Sequence, residues 1–210
     1  MQKQNLILTK LYHAYRPHSR YSKVVRASDK AQRLVGNGVE LRRHDRADYS
    51  LYARWYSDEE IWRLTSWAAE PMQPQAVERL FEEREKSSVE DSFAIHREGE
   101  EGPLGVIGLM NISEANASAD LSVIIGNEDE RAKGLGTEAI RVILRYAFED
   151  LGLERVNLSV FEFNEPAISS YEKIGFKKEG RISRAVRRDG AFRDAITMRI
   201  LASEWREDSA

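Results

Sequence analysis

The sequence predicts an α+β fold in which one mixed, mostly antiparallel sheet carries helices on both faces. Strand-like runs recur from Val39 to Leu201, and helical periods interrupt them in the order strand, helices, antiparallel strands, helix, strand, helix, strands. Length supports a single sheet: 210 residues suffice for one well-buried core and are too few for two ordinary domains with linkers.

Gly36-Asn37-Gly38 is turn-prone and separates a basic extension, residues 1–36, from the folded unit, residues 37–210. Val39 to Arg43 alternates apolar and polar, as a strand does. Asp45 can cap a helix reaching about Asp58, Asp58-Glu59-Glu60 opens a second, and Pro74 suits the first turn of a third ending at Lys86. Ser92–His96 and Leu104–Ile112 read as two strands around the charged turn Glu98 to Pro103. In Ala119–Gly126 the contiguous Val123-Ile124-Ile125 predicts a central strand buried on both faces.

Ile140, Ile143, Leu144, Ala147 and Leu151 share one helical face, which Gly152 ends. A strand at Val156–Phe161 and a short helix at Pro166–Ile174 follow. The strands Phe176–Val186 and Phe192–Leu201 come last, joined at Arg188-Asp189-Gly190, where Asp-Gly is a hairpin signal.

Composition excludes several chemistries. With no cysteine there is no disulfide framework, thiolate metal site or cysteine nucleophile. His13, His18, His44 and His96 lack ligand spacing and read as ordinary polar residues, so no metal is expected. No apolar run approaches the roughly 20 residues of a membrane span, and a cytoplasmic location is the default. Eight basic residues against Asp29 make the first 35 residues +7, which leaves −10 for the rest of a chain of net charge −3. Such an arm admits nucleic-acid or ribosome contact, although a loosely docked extension or an early start codon is the simpler account. An acidic body would favour cationic substrates such as amines if its charge gathers at a cleft.

Arg131-Ala132-Lys133-Gly134-Leu135-Gly136-Thr137 lies between the central strand and the long helix. Its glycines let main-chain amides approach a ligand, and the helix start adds unpaired donors and a positive dipole end. A diphosphate suits such a corner. Neither the Gly-x-Gly-x-x-Gly nor the Gly-x-x-x-x-Gly-Lys-Ser/Thr pattern is present.

With Arg131, Gly134 and Gly136 in Arg-x-x-Gly-x-Gly, the sequence resembles the GNAT acetyltransferase superfamily, whose signature lies between its fourth strand and third helix. Asn164 through Phe176 also matches that family's Asn-x-x-Ala-x-x-x-Tyr-x-x-x-Gly-Phe segment at every fixed position, and the tail resembles the subfamily of ribosomal-protein N-terminal and spermidine acetyltransferases. The resemblance implies a GNAT-like sheet splayed between its fourth and fifth strands and acetyl-CoA as co-substrate. It implies a coenzyme diphosphate on the backbone from Arg131, Ala132 and Lys133 through Gly134, Leu135, Gly136 and Thr137, and a pantetheine arm along Val123, Ile124 and Ile125. Asn164 would bond the pantetheine or the loop, or cap a helix. A backbone amide near Ile124 or Ile125 would polarise the thioester carbonyl.

Acetyl transfer to an amine needs a neutral amine, a stabilised oxyanion and a proton for the thiolate. Asp120 is the first candidate base, with Glu162 and Glu114 as alternatives, and Tyr171 matches the family tyrosine that protonates the thiolate. Trp55, Trp62, Trp67 and Tyr56 fall where the family builds its acceptor wall. The expected function is acetylation of a protein or peptide N-terminal amine by direct attack in a ternary complex. The alternatives are a polyamine or aminoglycoside-like acceptor and, outside catalysis, a ribosome- or RNA-associated coenzyme A-binding module. A homodimer is compatible with the sequence; a membrane is not an expected partner.

Overall fold

The computed structural model describes residues 31–131 and 133–205. Eight strands form one sheet: β1 (Arg33–Val35), β2 (Val39–Arg42), β3 (Asp91–Arg97), β4 (Pro103–Ser113), β5 (Ser118–Ile125), β6 (Arg155–Phe161), β7 (Lys177–Arg188) and β8 (Ala191–Leu201). Their order across the sheet is β1-β2-β3-β4-β5-β6-β8-β7, and every neighbouring pair is antiparallel except β5 with β6. The α+β class is as expected. Three main helices precede β3, namely α1 (Tyr49–Ser57), α2 (Glu59–Thr65) and α3 (Pro74–Lys86), while α4 (Leu135–Arg145) and α5 (Glu165–Ile174) flank β6 in sequence.

Local chemistry accounts for the boundaries. The Asp58 carboxylate accepts the Ile61 amide at 2.8 Å and starts α2, and Pro74 occupies the first turn of α3, where its missing N–H removes no bond. Asp45 caps a 3₁₀ turn, Arg46–Asp48, ahead of α1. The helix predicted through Leu151 runs as α4 and closes in a π turn, Tyr146–Asp150. At the last hairpin Asp189 (φ 51°) and Gly190 (φ 75°) both turn left-handed, as a two-residue loop requires.

The period-two alternation of strands divides the interior into two layers. Phe93, Ile95, Ile107, Leu109, Ala119 and Leu121 pack with the apolar face of α4 and with Ile168 of α5. Ala94, Val106 and Ile124 point the other way, under Tyr52, Trp55, Val77 and Phe81 of α1 and α3. Helices therefore cover both faces.

Two findings depart from the sequence reading. β1 pairs with β2 (Leu34 opposite Leu41), so the sheet starts before the Gly36-Asn37-Gly38 turn, inside the expected extension. Residues 1–30, with His13, His18 and most of the basic arm, lie outside the described residues. Val123, Ile124 and Ile125 are half-buried rather than fully buried, because β6 stays beside β5 only for Ser118–Arg155, Ala119–Val156 and Asp120–Asn157 before the strands part. Among the described residues no helix is long and apolar enough to cross a membrane, and no three His, Asp or Glu residues are grouped to hold a metal ion.

Candidate active site

Where β5 and β6 part, a cleft of about 830 Å³ opens. Asp120, Ser122 and Ile124 alternate along β5 and face the side covered by α1 to α3. Tyr171 of α5 lines the cleft and packs with the layer on the opposite face, so the gap joins the two sides of the sheet.

Asp120 sits at the vertex. Its Oδ2 accepts Nδ2 of Asn111 at 2.9 Å, and its Oδ1 accepts Nδ2 of Asn157 at 3.3 Å. Asn111 reaches it from an irregularity in β4, with φ at 51°, the left-handed region that asparagine tolerates better than most residues. The Asn157 Oδ1 accepts Nε of Arg155, whose guanidinium also binds Glu179. A polar band thus runs from β4 across β5, β6 and β8 to β7, and the arginine fixes which way the Asn157 amide points. The guanidinium of Arg155, with that of Arg199, holds the Glu179 carboxyl below its ordinary range. Sequence reasoning missed Asn111, Asn157, Arg155 and Glu179, because their spacing in separate strands gives no local signal.

The alternative bases are elsewhere. Glu162 binds Arg181 at 2.6 Å and accepts the Asp194 amide at 3.3 Å, while Glu114 occupies the exposed turn after β4; neither lines the cleft.

Tyr171 packs its ring edge-on to Phe176 at 5.8 Å, and burial pushes its phenol up to about 12. It therefore stays protonated at neutral pH, as a hydrogen-bond donor must. Asn164 caps α5 by accepting the Ala167 amide at 3.4 Å and donates to the Leu64 carbonyl at 3.4 Å, so it ties α5 to the end of α2.

The loop after β5 enters α4 through Gly134, which caps the helix with φ 86° and ψ −11°. That left-handed geometry is what glycine supplies here. A Cβ built on Gly134 meets nothing within 4 Å, so the space over the helix start is open to a ligand. Leu135 is buried and Gly136 lies over Ile125, so the main chain is what these two residues can offer a ligand. Thr137 bonds Ser170 at 2.8 Å and fastens α4 to α5. Arg131 turns away: its Nε donates to the Ile125 carbonyl at 3.2 Å and its guanidinium binds Glu60 at 2.8 Å. Lys133 is exposed and pairs with Glu130 at 3.4 Å. Ala132 lies outside the described residues. Anion affinity at this corner would come from amides and the dipole end of α4 rather than from side-chain cations.

Strand alternation sorts the β5 amides. The Gly126 amide donates to Leu104 of β4 at 2.9 Å, so the in-phase Ile124 amide also faces β4, and those of Val123 and Ile125 face the gap. Of the two positions expected for a polarising amide, Ile125 has the orientation.

The aromatic group is divided. Trp55 is core, flat against Gly126, where a Cβ would come within 2.0 Å of its ring. Trp62, Trp67 and Tyr56 line the cleft, with Trp67 half-exposed and tilted over Phe161 at 5.2 Å. Among the described residues the charged lining residues are Asp120 and Glu179 against Arg84 and Arg155.

Residues 39–177 match the family model described as the acetyltransferase (GNAT) domain. The spermidine N(1)-acetyltransferase of Escherichia coli strain K12 is 28% identical over 170 residues, 80% of this chain and 89% of that one. A Bacillus subtilis protein, YdaF, provisionally named a ribosomal N-acetyltransferase, is 35% identical over 101 residues, 48% of this chain and 55% of that one. Spermidine N-acetyltransferase from Vibrio cholerae, solved in complex with CoA and spermine, shares the fold with a TM-score of 0.73 at 24% identity, covering 80% of this chain and 97% of that one.

Proposed function

The chain belongs to the acetyltransferase (GNAT) domain family, and from that premise we propose that it moves an acetyl group from acetyl-CoA to a primary aliphatic amine held on the α1–α3 side of the gap. The single observation that carries this reading is the parting of β5 from β6 with Asp120 at the vertex and Tyr171 across the opening.

When bound, the coenzyme supplies an activated acyl group and a thiolate leaving group. The open amides at the start of α4 would hold its diphosphate, and the gap-facing amides of Val123 and Ile125 would hold its arm and acyl oxygen. A primary amine near pKa 10 arrives protonated, and Asp120, oriented by two asparagine amides, would accept that proton directly or through water. Tyr171 would donate a hydrogen bond from its hydroxyl to the departing sulfur, and the second amine proton, lost as the amide forms, would end on that thiolate.

For the acceptor we favour a polyamine, on the strength of the spermidine acetyltransferase relative that spans most of the chain. One observation supports the second reading, a peptide or protein N-terminal amine: among the described residues the cleft lining balances two carboxylates with two arginines, whereas a polycation gains from an acidic excess. Thiol release from acetyl-CoA, measured with spermidine, N-terminal peptides and aminoglycosides in parallel, separates them. Spermidine should give the highest kcat/KM; equal or higher values for peptides would reverse the order, and no amine-dependent release would end the proposal.

A further inference from the structure

Arg188 closes β7, and only 3% of it is exposed. Its guanidinium lies 4.0 Å from the Trp62 ring centroid and 5.7 Å from that of Phe161. It donates to the Ser66 carbonyl, to the Ala68 carbonyl at 3.3 Å and to its neighbour Arg187 at 2.9 Å. Its Nε is buried without a partner among the described residues. The adjacent acid, Asp189, faces Arg63 at 3.8 Å and forms no ion pair with Arg188.

A buried cation without a carboxylate is a costly choice, and an apolar side chain of similar volume would fill the space with less penalty. What arginine adds is a flat guanidinium that stacks on Trp62 while its Nη2 bonds two carbonyls of one loop and its Nη1 bonds the Arg187 carbonyl. That loop, residues 66–73, joins α2 to α3 and supplies Ser66, Trp67, Ala68 and Met72 to the cleft wall. Its far end is already fixed to α1, where the Met72 amide donates to Tyr56 at 3.1 Å and Ser57 Oγ donates to the Met72 carbonyl at 2.7 Å. At the near end Trp62 Nε1 also donates to Ala68, at 3.1 Å, from the ring on which the arginine stacks.

We propose that Arg188 is a positioning residue of the acceptor site, which pins loop 66–73 from the β7–β8 hairpin and so sets how tightly the amine is held. This rests on the reading of the cleft as the acceptor site. Because the contacts of Arg188 among the described residues are with Trp62, loop 66–73, Phe161 and Arg187, its removal should leave the coenzyme side alone.

Arg188→Met and Arg188→Lys in the full chain test it by two independent readouts. In amide exchange followed by mass spectrometry, Arg188→Met should speed exchange across 66–73 by about tenfold or more, as expected from losing charge-assisted bonds, with α4 unchanged. In thiol-release kinetics the KM for spermidine, or for whichever amine turns over, should rise about tenfold or more while the KM for acetyl-CoA stays within about twofold. Arg188→Lys, which keeps the charge and loses the planar group stacked on Trp62 and held by Arg187, should fall between. Unchanged exchange in the loop would overturn the pinning. Faster exchange with unchanged amine KM would overturn the acceptor role, and so would a joint rise of both KM values with a lowered Tm. A wild-type protein that acetylates no amine would sink the underlying reading and the acceptor role together, while the exchange data would still decide the pinning.

Discussion

Replacing Tyr171 by phenylalanine removes one oxygen and leaves a ring that still packs against Phe176. The phenol is held at about 12 by burial, whereas a thiol ionises near 8.5. Full proton transfer to the thiolate is therefore uphill, and the useful contribution is a hydrogen bond to a developing negative charge. Such bonds are worth about 1.5–3 kcal/mol, which sets the loss in kcat at about 10- to 150-fold. The KM for acetyl-CoA and the Tm should change little. The donor form persists well above neutrality, so Tyr171 adds no alkaline limb to the wild-type pH profile between about pH 7 and 10. The chain contains no cysteine, and a thiol-reactive chromogen reads released coenzyme without a protein background. A kcat within about threefold of wild type would refute the reasoning, as would a loss appearing entirely in the acetyl-CoA KM.

At Gly134 the left-handed backbone, rather than crowding, makes the demand. Gly134→Val should weaken acetyl-CoA binding by about tenfold or more in calorimetry and Gly134→Asn by less, since asparagine tolerates that region; equal losses would contradict this. Asp120→Asn should lower kcat by about 10²-fold near pH 7, and the residual rate should climb about tenfold per pH unit as free amine increases; a flat residual profile would remove Asp120 as the base. Burial, helped by the nearby Arg84 and Arg43 charges, pushes the His44 imidazole from 6.5 down to about 3, and it contacts Ser92 at 2.9 Å and Tyr52 at 3.3 Å. The unfolded chain binds that proton first, so the stability is fully present above pH 6.5 and is lost as pH falls toward 3, by up to about 1.4 kcal/mol per pH unit. Denaturant titrations of His44→Gln should show a shallower acid loss than wild type.

The loop from Arg131 to Thr137 was legible because its chemistry is contiguous: a strand, glycines and an amphipathic helix announce a corner of exposed amides. Helix starts at Asp58 and Pro74 were legible for the same reason, since caps act over a few residues. Features made by distant segments were not. The Asn111–Asp120–Asn157–Arg155 band depends on cross-strand register, which no single stretch encodes. Arg188 sits beside an Asp-Gly turn and reads as a solvated hairpin end, yet the turn folds it under Trp62. The contiguous run at Val123–Ile125 predicted complete burial, and the divergence of β6 leaves it half-open, as a strand beside a ligand would be. Arg131, placed at the coenzyme corner by its motif position for its backbone, has its side chain on Ile125 and Glu60, which leaves its main chain for such a contact.

Equilibrium dialysis of the purified protein against acetyl-CoA tests the central claim most directly, since everything at the gap depends on main-chain amides gripping that molecule. The account predicts one equivalent retained per chain at submillimolar concentration, with retention reduced in Gly134→Val. No retention at millimolar acetyl-CoA would contradict it.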